Sequence, residues 1–490
     1  MTKLTLRVPV EQLAPEALLD LVRQHGVEAC SSLVAAAAPE QLTALVDLDL
    51  WKAAEPGGDE TFDADRFGEW VEALVDEGPE VAATVVASLN TDIVVVGLSR
   101  YVRVFDPGTF EPTAQSDDEA PVRSALMREG GVAVGAECEL GGYIVWPRRA
   151  DRWDALVALL AALETEHSDV FHAVMRGCRR LSNSAPEVDG LDNLLATPGQ
   201  HDHDVAIGRD VRRERRGYVS PPDARAFLEA IRRGGNGRDG ASVIAADYLR
   251  MEPSTAAPAG PQSRVRLLTG AVDGDQEPTP VLRRLLEALV DGYGDLHAIR
   301  SNELVFLANV MAAGCGVQGR ALTGREAASA AAAVCNLGLE CWPDVSVPDT
   351  FLAEHDLLQV FETGWTLLYR EVSLAVADGL LRVLDEIRSF DVDVARGLAR
   401  LQHALRKERA RGTPWAARHH TDVVAMLDAA VWVSVNGLLD ELPAISAAVP
   451  ALLERSTTPV SPTAFTFISR KGHLGDVLIF LRALPALLSR

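Results

Sequence analysis

At 490 residues the chain exceeds one typical core and is expected to form two or three domains, each able to bury enough apolar surface to fold without staples. The formal net charge of −23 disfavours nucleic acid as the main partner, and the charge is uneven: residues 1 to 120 hold 7 Lys and Arg against 23 Asp and Glu. Six cysteines without a CxxC pair fit reduced thiols better than a disulfide framework, and no secretory leader or membrane-length apolar run is read, so a soluble cytoplasmic protein is expected. A basic protein partner would suit the acidic N-terminal region; acidic residues kept for solubility account for it equally well.

The first hundred residues carry apolar-periodic segments opened by Pro-Glu, namely APEALLDLVRQHG, APEQLTALVDLDLWK and GPEVAATVVASLN. Proline at the first helical position loses no hydrogen bond, and the adjacent glutamate complements the helix dipole, so each is a predicted helix start. Between them, EPGGDETFDADRFGEW is a Gly/Pro loop followed by a new start, with Asp63 or Asp65 as cap before Phe67, Trp70, Val71 and Leu74. Short helices in series must share a core with their neighbours, which predicts a solenoid-like arrangement. TDIVVVGLSRYVRVF is β-branched, yet Thr91 as cap and its place after a helix favour a buried helix.

Residues 107 to 131 read as loop, and the two apolar runs around Gly141-Gly142 predict a β-hairpin near 132–147. Helical periodicity resumes in two segments divided near Ser168, and again at PPDARAFLEAIRR, capped by Ser220. The Gly, Ala, Pro and Ser content of 234–263 marks a flexible linker or insertion between a helical domain over 1–233 and a second over 264–490. Ala- and Leu-rich patterns with small residues follow, as expected of a helix bundle with close helix approach. FTFISRKGHLGDVLIFLRALPALL closes the chain as an extended piece and a final amphipathic helix. The fold class is mainly α.

Candidate chemistry is sparse. In ALVDLDLWK, Asp47 and Asp49 imitate an Asp-x-Asp metal motif, but on the helix begun by Pro39 they stand about 200° apart and cannot converge on one ion. Asp47 is predicted to face solvent, while Asp49 falls on the apolar stripe and becomes a buried structural carboxylate in need of an arginine or backbone amides. His201, His203 and Asp204 in QHDHD are possible metal ligands if the backbone there is extended; a solvated helix start is the plainer reading. Arg212, Arg213, Arg215 and Arg216 could grip an anion, a nucleic acid or an acidic partner, or contact the acidic N-terminal region of the same chain, but interleaved acids such as Asp210 and Glu214 favour a solvated, internally paired helix face. RKERARG at 406–412 is similar. HHTD at 419–422 is explained as a helix start, and neither a phosphate loop with Lys-Ser/Thr nor a GxSxG elbow is found. No cofactor and no catalytic residue is assigned.

PEQLTALVDLDLWK, DADRFGEWVEALVDEGPEVAATVVASL, RDVRRERRGYVSPPDARAFLEA and FTFISRKGHLGDVLIFLRALP resemble, in that order, an uncharacterised bacterial family, domain of unknown function six-one-seven-eight. That resemblance implies no reaction. More loosely, the Pro-Glu helices are similar to the helical superhelix N-domain of bacterial magnesium channels, a likeness of fold that lends no magnesium site. The expected function is a protein-binding scaffold or adaptor rather than an enzyme. A metal-dependent hydrolase using the His201 to Asp204 cluster is the alternative, and nucleic-acid binding through the 209–216 arginines is the third reading.

Overall fold

The computed structural model describes residues 9–105, 137–183, 198–234, 237–250, 279–292, 294–343, 347–387, 389, 391–454 and 464–488. The chain forms two compact units. The first comprises Met1–Lys52 with Glu60–Arg213, the second Ala53–Asp59 with Glu214–Arg490. Both are mainly helical, with a few small antiparallel sheets. Among the described residues no helix is long and apolar enough to cross a membrane. The six cysteines are unpaired.

In the first unit, helices α1 (Pro15–His25), α2 (Val27–Ala35) and α3 (Pro39–Asp49) lead to a two-stranded hairpin, β1 (Trp51–Ala53) and β2 (Glu60–Phe62). Then come α4 (Ala64–Glu77), α5 (Pro79–Ala87) and α6 (Thr91–Ser99). Proline stands in the first turn of α1, α3 and α5, and Asp63 caps α4 by accepting from the Arg66 amide. Phe67, Trp70, Val71 and Leu74 form the buried stripe of α4, joined in one continuous core with Leu18, Leu45, Val94 and Leu160. Gln41 shows how a polar group is accommodated there. It is 1 % exposed, its Nε2 donates to the Val10 and Leu13 carbonyls, and its Oε1 accepts from the Ala38 amide. Both amide hydrogens and the carbonyl oxygen have partners, so its burial carries little penalty.

The segment from Thr91 divides where a continuous helix was expected. Asn90, not Thr91, is the cap, and the helix ends at Ser99; β3 (Val102–Phe105) is a strand. Its two valines are buried and alternate with half-buried Arg103 and Phe105, the period of a strand, and it pairs antiparallel with β5 (Tyr143–Pro147), Val104 opposite Val145. β4 (Cys138–Leu140) pairs on the other edge of β5 through the Gly141-Gly142 turn, where both glycines have positive φ. The expected hairpin is thus the outer part of a three-stranded sheet, and 132–136 and the loop at 107–131 lie outside the described residues. Helices α7 (Trp153–Glu166) and α8 (Ser168–Asn183) meet at His167, and α9 (Pro198–Arg215) follows.

The second unit begins with α10 (Pro221–Arg233), capped by Ser220, and α11 (Gly237–Arg250). The latter falls inside the stretch expected to be flexible linker; Ala241 and Ala245 bury against the second core, so tertiary packing overrides its Gly-rich composition. Residues 251–263 lie outside the described residues. Next are α12 (Pro280–Gly292), α13 (Gly294–Gly314), the hairpin β6 (Gly316–Val317) and β7 (Arg320–Ala321), and α14 (Gly324–Glu340). After the short α15 (Phe351–Glu354), a long helix runs from Leu357 to Glu386 as α16 (Leu357–Leu367), a π-helical segment (Leu368–Ser373) and α17 (Leu374–Glu386). The unit is completed by α18 (Val392–Arg411), a 3-10 segment (Pro414–His420), α19 (Asp422–Leu427), α20 (Ala429–Leu438), β8 (Ala444–Ser446), α21 (Ala448–Glu454), β9 (Phe465–Phe467) and α22 (Lys471–Leu488). Asn336, fully buried in α14, accepts from the Val281 and Leu282 amides at the start of α12 and donates to the Ser469 carbonyl.

One ion pair in this unit sets a pH dependence. Arg320 bonds Glu326 through both terminal nitrogens at 2.8 and 2.6 Å, and the same carboxylate accepts from the Thr323 amide, closing a capping box with the Thr323 hydroxyl. The Arg320 bond, chiefly, holds the Glu326 carboxyl down at about 2. An acid whose folded pKa is depressed stabilises the fold above its unfolded value and loses that contribution as pH falls toward the folded one. Glu326→Gln is therefore expected to weaken amide-exchange protection at the start of α14 at neutral pH. The difference from wild type should shrink as pH falls from about 4.5 toward about 2. A difference independent of pH would refute this.

Candidate functional site

The densest polar assembly in the first unit lies where α9 meets α3 and β2. Residues 209, 212 and 213 share one helical face, at spacings of three and four. Arg212 makes a bidentate pair with Asp47, Nε to Oδ2 at 2.9 Å and Nη2 to Oδ1 at 2.7 Å. Arg209 Nε donates to the Asp47 carbonyl at 2.8 Å, which supplies a partner to one of the last carbonyls of α3. Its guanidinium lies 4.7 Å from the Trp51 ring centroid and, with Arg213, clasps the Glu60 carboxylate. Asp47 is fully buried and Arg209 is 2 % exposed.

The expectation that Asp47 faces solvent is therefore corrected. Helical phase separates Asp47 from Asp49 as foreseen, but both faces of α3 are covered. The side opposite the apolar stripe receives α9, from 165 residues along the chain. Asp49 meets α4 instead: its Oδ2 accepts from Arg66 Nε at 2.7 Å and from the Trp70 indole at 2.8 Å, and its side chain is 6 % exposed. The Asp-x-Asp pair is thus two buried carboxylates serving two interfaces, and no ion can be shared between them.

Titration behaviour follows from the same contacts. Burial pushes the Glu60 carboxyl up, but Arg209 and Arg213 together outweigh it and hold the group below its ordinary value. For Asp210 burial prevails over the same two guanidiniums and raises the carboxyl. Burial also lowers Arg209, and the neighbouring Arg213 adds to that effect. These shifts belong to an ion-pair network that joins secondary-structure elements.

The other sequence candidates fall on the same helix. His201, His203 and Asp204 stand in α9 and not in an extended segment, so His201 and His203 diverge by about 200°. His203 and Asp204 are exposed, and Asp202 pairs with Arg100. Among the described residues no group of three or more His, Cys, Asp or Glu could hold a metal ion. Arg215 is exposed and Arg216 half-buried, while Arg212 and Arg213 are engaged as above. In 406–412, Arg406 pairs with Asp385 and Arg409 with Asp378 on an exposed surface. The preferred reading of the 209–216 arginines as a solvated helix face is corrected at Arg209, Arg212 and Arg213, which make the contact with the acidic N-terminal region that the sequence also allowed; the particular partners Asp47 and Glu60 come from distant sequence and no local spacing names them.

Fold and site together define a mainly helical, two-unit chain whose first unit is bound internally by buried Arg–carboxylate pairs. Residues 6–180 match the model of a family described as a family of unknown function, DUF6178, the family that the sequence motifs resemble. That match contains Asp47, Asp49, Glu60 and Arg66; Arg209, Arg212 and Arg213 lie beyond it, as do the two C-terminal stretches that resemble the family. No curated protein matches the chain, and no solved structure does either, so the looser likeness to magnesium-channel N-domains carries no further argument.

Proposed function

We propose that the chain is a protein-binding scaffold whose first unit presents an acidic edge to a basic surface of its partner. What supports this is the division of charge in that unit. Its buried arginines are taken up by Asp47, Asp49 and Glu60, while Glu28, Asp76 and Glu80 are exposed and make no ion pair with a described residue. Ser31 Oγ donates to Glu77 Oε2 at 3.0 Å, which sets the middle of α2 beside the end of α4; α5 begins two residues later, so the three acidic residues stand on neighbouring elements. Glu28 and Glu80 stand in first turns, where the helix dipole favours them. Asp76 sits in the last turn of α4, where the dipole opposes it, so its own helix gives no reason for the charge.

The test is affinity purification with cross-linking at native expression. A partner with a basic surface is expected to be retained at low salt and released as ionic strength rises. The triple variant Glu28→Lys, Asp76→Lys, Glu80→Lys should lose it with an unchanged circular dichroism spectrum. The proposal fails if no stable partner or self-assembly is found, or if the triple variant holds the partner as firmly as wild type.

A further inference from the structure

Most arginines of the first unit are taken up by carboxylates, as Arg66 is by Asp49, Arg149 by Asp65 and Arg152 by Glu72. Arg103, Arg148, Arg176 and Arg180 make no ion pair among the described residues. The four stand on elements that meet. Arg103 lies opposite Trp146, and the Arg148 amide donates to the Tyr101 carbonyl at 2.7 Å, so the two are diagonal neighbours on adjacent strands. The Arg148 side chain reaches across β3, its Nε donating to the Val102 carbonyl at 3.2 Å on the edge that β5 leaves free. Helix α8 approaches that edge, where Ser182 Oγ accepts from the Val104 amide at 3.1 Å, and it carries Arg176 and Arg180, exposed and one turn apart. No guanidinium nitrogen of Arg103 or Arg148 is both buried and unpartnered, so the free ones open to the surface.

Like charges side by side without a carboxylate are unfavourable. Burial, with Arg103 and Arg100 beside it, lowers Arg148 below the ordinary arginine value, which expresses that cost. In a chain of net charge −23 these arginines form a pole of the opposite sign, and an acidic surface would complement it. Glu28, Asp76 and Glu80 supply one, but they stand at the far end of α4 from the arginines. Tyr101, which leads into β3, donates from its hydroxyl to the carbonyl of Ala64, the first residue of α4. Asp76 is in the last turn of that helix, about 18 Å farther along its axis. Glu80 follows in the first turn of α5, and Ser31, one turn from Glu28, bonds Glu77 at the end of α4. Acid and base are thus held apart within one molecule.

We infer that the partner of the acidic residues is a second copy of this chain, whose Arg103, Arg148, Arg176 and Arg180 receive Glu28, Asp76 and Glu80 of the first. Self-pairing rests on the scaffold reading and names its partner. Each copy carries both halves of the contact, so no other protein is needed to satisfy either pole. Arginine suits the acceptor side, because its planar fork binds carboxylates through two parallel bonds. Single-stranded nucleic acid is the competing occupant of the arginines, and the charge of the whole chain opposes it.

Sedimentation velocity of the full chain at about 0.15 M salt is expected to show association in the micromolar range. Reversing the acids (Glu28→Lys, Asp76→Lys, Glu80→Lys) or the bases (Arg103→Glu, Arg176→Glu, Arg180→Glu) should each weaken it at least about tenfold. Arg148 is left in place because its bond to the Val102 carbonyl ties β5 to β3. Equal amounts of the two reversed proteins, mixed, should associate nearly as strongly as wild type, which an unfolded variant could not do. Self-pairing is overturned by a wild-type chain that stays monomeric, by a base-reversed variant that associates like wild type, or by a mixture that stays apart with native circular dichroism spectra. Binding of a single-stranded oligonucleotide that the arginine reversal abolishes would overturn it as well. A monomeric chain that still retains a different basic protein through Glu28, Asp76 and Glu80 removes the second copy and leaves the scaffold reading standing.

Discussion

Arg212→Ala is expected to destabilise the first unit by about 3–5 kcal/mol, because it strands a carboxylate that has no access to water. Asp47 is 0 % exposed on its side chain and Arg212 27 %, and the guanidinium supplies both bonds to the carboxylate oxygens. The reverse change, Asp47→Ala, should cost less, since the orphaned guanidinium can turn its exposed part toward water. Replacing both partners by apolar residues, as in Asp47→Leu with Arg212→Met, should recover much of the loss, because neither desolvated charge remains. Arg209, which bonds the Asp47 carbonyl, keeps its partner in all three variants. Since a two-unit chain need not unfold in one step, hydrogen exchange of the α3 and α9 amides is the appropriate measurement. An Asp47→Ala effect equal to or larger than that of Arg212→Ala would show that burial of the carboxylate is not the dominant cost.

The contrast between Asp47 and Asp49 marks what a sequence of this kind discloses. Local rules carried far: Pro15, Pro39 and Pro79 open helices, Asp63 and Ser220 cap them, and the stripe from Phe67 to Leu74 is buried. Each depends on residues within about one or two turns, where spacing and dipole are decisive. Asp49 was legible because its burial follows from its phase on α3. Asp47 was not, since nothing local announces that α9 will cover the opposite face. The strand at Val102–Phe105 and the helix at Gly237–Arg250 went unread for the same reason: pairing with β5 and packing on the second core override local propensity. The contact of Arg232 with Glu441 was equally hidden, for the two are 209 residues apart and no spacing links them.

Close helix approach was foreseeable from the small residues of the second half, and it carries the last large effect. Where α14 crosses α16, a Cβ at Gly338 would lie 2.1 Å from the Val360 carbonyl oxygen, and one at Gly364 would lie 2.0 Å from that of Val334. Both obstacles are backbone, so no rotamer change relieves them and the helices must separate within a core that holds Val360, Phe361 and Trp365. Gly338→Ala and Gly364→Ala are each expected to cost about 3 kcal/mol or more, at the upper end of overpacking effects and despite alanine's better helix propensity. The double variant should cost less than the sum, because the first methyl group already forces the axes apart and makes room for the second. Gly379→Ala in α17 is the control: its nearest neighbour is the Leu481 side chain at 3.4 Å, which can yield, so this change should be neutral or stabilising by up to about 1 kcal/mol. Thermal unfolding of the three single variants and the double variant decides the matter. If Gly364→Ala unfolds within a degree of Gly379→Ala, the crossing is looser than these distances require and the glycines are there for another reason.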